Sequence, residues 1–137
     1  MARAREVITV DEVIEINRRM LEASGGSFIP PGNFLNRNSL DYILGVIDES
    51  LFGQPMYPTV QAKAAAVGWH IIRSHVFNDG NKRTGMMACT MVLDWGGYRL
   101  LCGWLDPEAL SVTLSVASGE MNLAGFTDWV SRTAQPV

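Results

Sequence analysis

The sequence predicts an all-α fold, a compact helical bundle around one buried central helix. Three observations carry this expectation. Apolar residues recur at helical spacing between capping signals, and Gly and Pro punctuate the chain between those stretches. The stretch Met86 to Leu93 is apolar almost all round apart from Thr90, the pattern of a helix buried on every side. The 137 residues and 15.1 kDa suit one domain, residues 1–137. With 47% hydrophobic and 18% charged residues the chain reads as globular. A net charge of −3 and a pI near 5.3 speak against a protein that grips nucleic acid directly. No apolar run nears the roughly 18–20 residues of a membrane span, and the opening residues turn acidic and amphipathic at once rather than forming a leader's apolar stretch. Two cysteines, Cys89 and Cys102, are too few for a disulfide framework. They read as free, mostly buried thiols in a reducing cytoplasm.

The elements follow in order. Thr9 with Glu12 forms a capping box. Val10, Val13, Ile14, Met20 and Leu21 then share one helical face, and Gly25-Gly26 ends the helix. A loop rich in Gly, Pro and Asn spans residues 27–38. Ser39 is read as the cap of a second helix with Leu40, Ile43, Leu44 and Ile47 inward, stopped at Gly53-Gln54-Pro55. Pro58-Thr59 opens an alanine-rich third helix to about Ser74. The apolar helix runs from near Asn81 to Gly96-Gly97. Asp106-Pro107 caps a helix to about Ser118, and the last covers Leu123 to Thr133. Leu51 to Tyr57 and Tyr98 to Leu101 are the only extended candidates, leaving room for a short hairpin.

The chemistry concentrates in His75-Val76-Phe77-Asn78-Asp79-Gly80-Asn81-Lys82-Arg83. This segment delivers the chain into the N-terminus of the apolar helix, where unpaired N–H groups and the positive dipole end attract an anion. Gly80 permits the backbone angles that gather N–H groups into a nest. Lys82 and Arg83 in the first turn oppose the dipole, a cost that a bound phosphate offsets. Asp79 beside a phosphate site is the usual type of Mg²⁺ ligand. His75 is a candidate general base near neutral pH. Phe77 reads as an apolar anchor for the loop. Each residue has a plainer reading. Asp79 could be a turn residue, Asn81 an N-cap, Lys82 and Arg83 solvated charges, and His75 a helix-end histidine. The constellation weighs against those readings more than any single member does. His70 and His75 lie about 140° apart around a helix, which disfavours a shared metal. The four tryptophans and seven methionines read mainly as core or groove lining, and Arg3 and Arg5 as a frayed end.

His-x-Phe-x-Asp-Gly-Asn-Lys-Arg resembles the signature of the Fic/Doc family in its death-on-curing branch. The likeness spans about Thr9 to Ser131 and is strongest over Ala62 to Leu100. It implies the compact Fic-type bundle, with a short β-hairpin flap as an option. It implies His75 as the catalytic base, Asp79 as the Mg²⁺ ligand, and Gly80, Asn81, Lys82 and Arg83 as the grip on the phosphates of ATP. Two departures from the adenylylating branch stand out. That branch has Gly where this chain has Lys82 and a second Arg where it has Met86. Both changes match the death-on-curing branch, whose members resemble kinases that transfer the γ-phosphate. The implied target is a threonine of translation elongation factor Tu. That branch usually carries Ala at the position of Gly80. No glutamate of this chain fits the family's inhibitory Ser/Thr-x-x-x-Glu motif, so the resemblance implies inhibition by a separate antitoxin with a helical tail. The rival readings are a protein adenylyltransferase on the same scaffold and a non-enzymatic helical binding module.

Overall fold

The computed structural model describes residues 8–100, 103 and 106–137. Its helices are α1 (Val10–Ser24), α2 (Arg37–Val46), α3 (Val60–Arg73), α4 (Asn81–Trp95), α5 (Pro107–Ser118) and α6 (Leu123–Thr133). Two antiparallel pairs complete the described residues. One is the hairpin β1 (Ser50–Leu51) with β2 (Gln54–Pro55). The other joins β3 (Tyr98–Leu100) to β4 (Ala134–Pro136). The all-α bundle expected from the sequence is therefore present. No helix among the described residues is long and apolar enough to cross a membrane. Cys102, Leu101, Arg3 and Arg5, each given a reading above, lie outside the described residues.

Local chemistry explains most boundaries. The Thr9–Glu12 capping box closes in both directions, with Thr9 N–H donating to Glu12 Oε1 at 2.8 Å and Glu12 N–H to Thr9 Oγ1 at 3.2 Å. Thr59, Asp106 and Asn122 each accept a first-turn N–H of their helix. The second helix departs from expectation. It begins at Arg37, and Ser39 lies inside its first turn rather than capping it. Asn36 sets the start because its N–H donates to Val76 O at 2.9 Å and its side-chain amide to Ser74 O at 3.2 Å. A tertiary tie has displaced a local signal. The extended piece at Tyr98 finds its partner in the chain's last strand, with Tyr98 opposite Pro136 and Leu100 opposite Ala134. At the tip of the first hairpin Phe52 and Gly53 both take left-handed angles, φ 52° and 78°, as a two-residue primed turn requires.

The centre is shared by α4 and α3. The antiparallel helices touch backbone to backbone: a Cβ on Gly85 would sit 2.8 Å from Gly68 O and 2.5 Å from Ile72 Cγ1. Ala64 and Ala65, one turn before Gly68 on the same face, keep the approach close, and both are buried. Thr84, Gly85, Ala88, Cys89, Val92 and Leu93 fill the α4 side, while Met87 and Met91 are half-buried towards α1. Burial pushes the Cys89 thiol up to about 12, which makes it an inert core residue. The helices α2, α5 and α6 pack mainly on α3, whereas α1 crosses α4.

Glycine substitutions test this packing. Gly85→Ala is expected to destabilise the fold by about 1–3 kcal/mol through overpacking, despite alanine's better helix propensity. Gly45→Ala in α2 meets nothing within 4 Å and is expected to stabilise by about 0.5–1 kcal/mol. Urea denaturation of the two variants measures both. Equal, favourable shifts would mean that the α3–α4 approach is looser than described.

Candidate active site

The segment joining α3 to α4 is built from left-handed turns at its ends. Ser74 caps α3, and His75 follows at φ 51°. Val76 N–H then reaches back to Ile71 O at 3.5 Å, closing the helix end in the pattern that normally uses glycine. A histidine there is strained, and its side chain is exposed. At the other end Gly80 takes φ 81° as the N-cap of α4. No side chain caps this helix start, so its first-turn N–H groups remain for an anion. Gly80 cannot be exchanged without strain, and a Cβ there would also lie 3.0 Å from Asn17 Nδ2.

Between these turns the loop is clamped on both sides. Phe77 is fully buried, stacked on Phe34 with ring centroids 5.2 Å apart, and so acts as the apolar anchor expected. Val76 O accepts from the N–H groups of Leu35 and Asn36, both at 2.9 Å, and Asn78 N–H donates to Asn33 O at 2.9 Å. The Gly- and Asn-rich stretch before α2 is thus laid against the loop. Asn81 is the first residue of α4, not its cap. Its amide is spent on the Phe77 backbone, donating to Phe77 O and accepting from Phe77 N–H, each at 2.9 Å. What Asn81 offers an anion is its own backbone N–H.

Asp79 is exposed. Its Oδ1 accepts from Gly80 N–H at 2.8 Å. Its Oδ2 lies over Gly26, where a Cβ would come within 3.1 Å. One free carboxylate oxygen beside uncapped N–H groups fits Mg²⁺, which is commonly held by one or two carboxylates plus phosphate oxygens. Among the described residues no cluster of three His, Cys, Asp or Glu side chains could cage a metal by itself. His70 stands apart, half-buried between Tyr42 and Trp69, and burial lowers its pKa.

Lys82 and Arg83 lead into a cleft of about 440 Å³ between α4, β3 and α5. Met86, Leu110 and Leu114 give it apolar walls, and Arg99 of β3 adds a third cation. None of these three cations forms an ion pair among the described residues. His75 and Asp79 do not line the cleft.

The sequence reading missed Arg99, Asn17 and Asn33. Asn17 is fully buried and donates to Asp79 O at 2.9 Å and to Thr84 Oγ1 at 3.1 Å, while Asn33 donates to its Oδ1 at 2.9 Å. The available signal was a lone amide between Val13 and Leu21 on the buried face of α1, at i+4 from each. Nothing local marks Arg99, because only the fold brings β3 beside α4.

Two comparisons with known proteins bear on this arrangement. A protein named Protein kinase doc, from Escherichia phage P1, is 32% identical over 60 residues. That match spans 44% of this chain and 45% of the phage protein's length. The profile of the Fic/DOC family matches residues 7–93, well over half of the chain and including the whole loop and the start of α4. With the helical bundle and the anion-ready helix start in place, the chain belongs to the Fic/DOC family.

Proposed function

We propose that this chain, acting as a single domain, is a death-on-curing-type toxin of a toxin–antitoxin pair. In this reading it is a cytoplasmic protein kinase that moves the γ-phosphate of ATP onto a threonine of elongation factor Tu and so arrests translation. The observation that carries the kinase reading is the position of the apolar cleft. It opens at Lys82 and Arg83, away from His75 and Asp79. A nucleotide whose base occupies that cleft lays its phosphates over the start of α4, with the terminal one towards His75. Met86, standing where adenylylating relatives have a second arginine, lines the cleft and suits a base better than a phosphate. The phage P1 relative is named a protein kinase, which agrees.

His75 takes the proton of the target hydroxyl as its oxygen bonds to the γ-phosphorus, and the bond to the bridging oxygen breaks to release ADP. The N–H groups of Asn81, Lys82 and Arg83 at the Gly80 turn, with the two side-chain cations, balance charge on the moving group. Asp79 would hold Mg²⁺, which when bound supplies charge neutralisation of the phosphates. Loop rigidity supplies the positioning on which such transfers depend. The antitoxin's helical tail finds a suitable surface in the same cleft, where half-exposed Leu110 and Leu114 lie one turn apart beside three cations that form no ion pair among the described residues.

His75→Asn keeps the left-handed turn with little strain and removes the base. It is expected to fold with a melting temperature near the parent's and to transfer about 10²–10⁴-fold more slowly. Near-parental transfer would remove His75 from the mechanism. Intact-mass analysis of elongation factor Tu after incubation with ATP and Mg²⁺ is expected to show a phosphate-sized gain. An adenylyl-sized gain would replace the kinase reading with nucleotidyl transfer, and no gain on any protein of a lysate would favour a binding module. The double change Lys82→Gly, Met86→Arg is expected to restore some adenylylation. A variant that still makes only phosphate would place the control of orientation elsewhere.

A further inference from the structure

We propose that Asn17 and Asn33 are positioning residues that set the Asp79 peptide, and through it the geometry of the Mg²⁺–phosphate site. This rests on the functional reading of Asp79 given above. Asn17 sits on the face of α1 that crosses α4 and is fully buried. Its amide uses both donors and one acceptor position. Nδ2 donates to Asp79 O at 2.9 Å and to Thr84 Oγ1 at 3.1 Å, and Oδ1 accepts from Asn33 Nδ2 at 2.9 Å. One side chain therefore ties the last residue before the Gly80 turn to the first turn of α4.

Asn33 completes the device from the opposite side. It is buried at φ 59°, and its Oδ1 accepts from Ile29 N–H at 3.1 Å. Its carbonyl oxygen accepts from both the N–H of Asn78, at 2.9 Å, and its Nδ2, at 3.2 Å. Asn17 thus holds the peptide that follows the Asp79 α-carbon and the Asn33 carbonyl holds the peptide that precedes the Asn78 α-carbon, while the two side-chain amides bond to each other. The Asp79 carboxylate has only two rotatable bonds beyond this frame, and its Oδ1 is already held by Gly80 N–H. Fixing the backbone of residues 78–80 fixes where Oδ2 points. Outer hydrogen bonds of this kind orient metal-binding carboxylates, and their loss commonly weakens metal affinity or activity about 10–100-fold.

A structural filler would behave differently. Asn17→Asp is nearly isosteric and keeps the acceptor for Asn33, but it removes the donor to Asp79 O. Isothermal titration calorimetry with Mg²⁺ and ADP reads the site without turnover. The parent is expected to bind, and Asn17→Asp to bind about 10–100-fold more weakly at a temperature where both are folded. Thr84→Val removes the second acceptor but leaves the Asp79 tie. It is expected to lower thermal stability and leave Mg²⁺–ADP affinity within about twofold. If Asn17→Asp does not fold, Asn33→Asp serves. It tolerates the left-handed angle and loses only the donor to Asn17, and weaker Mg²⁺–ADP binding is again expected. Parent-like affinity in the folded variant would overturn the positioning role while leaving the functional reading intact. A parent that does not bind Mg²⁺–ADP would overturn the functional reading and this inference with it.

Discussion

The site depends on the contact of two backbones. The Gly68 carbonyl lies 2.8 Å from where a Cβ on Gly85 would stand, so α3 and α4 run antiparallel with their backbones in contact at this crossing. Their connection has only residues 74–80 in which to reverse direction. That geometry forces tight turns at both ends, and both are left-handed: His75 at φ 51° and Gly80 at φ 81°. The first lifts the histidine out of the helix into solvent. The second leaves the start of α4 uncapped. A candidate base and an anion site come from one packing constraint.

A tight loop is not by itself a rigid one, because exposed backbone in a short connection can open locally. Here the loop is buttressed on both sides. Phe77 and Phe34 stack and bridge, and Asn81 pairs with both the N–H and the carbonyl of Phe77. Asn17 and Asn33 hold the stretch around Asp79 through buried hydrogen bonds. No buried side-chain polar atom among the described residues lacks a partner. A buried amide network that is fully satisfied rigidifies, whereas one left half-satisfied is costly. The candidate functional groups, by contrast, are left facing solvent: His75, Asp79, Lys82 and Arg83 are all exposed. Strain and unpaired charge are concentrated where a substrate would relieve them.

Much of this was legible in the sequence because it is written in local signals. Thr9 with Glu12, Thr59, and Asp106 with Pro107 mark helix starts whose caps depend on neighbours within three residues. The motif loop was legible because its unusual residues are contiguous. The misreadings came where distant segments meet. Ser39 has the chemistry of a cap, but Asn36 is tied to Ser74 and Val76, thirty-eight and forty residues on, and the helix starts there. The strand after α6 exists only because Tyr98–Leu100 lies alongside to pair with it. Asn17 carries no local sign of its role beyond being a polar residue on an apolar face, and Arg99 carries none at all.

The central claim is that the uncapped start of α4, with the cleft beyond it, holds a nucleotide whose terminal phosphate faces His75. Titration of ¹⁵N-labelled protein with Mg²⁺ and a non-hydrolysable ATP analogue tests it most directly. The account predicts the largest amide shifts at Gly80, Asn81, Lys82 and Arg83, a second set at Met86, Leu110 and Leu114, and a smaller change at His75. Shifts confined to other surfaces, with the amides of residues 80–83 unmoved at saturation, would contradict it.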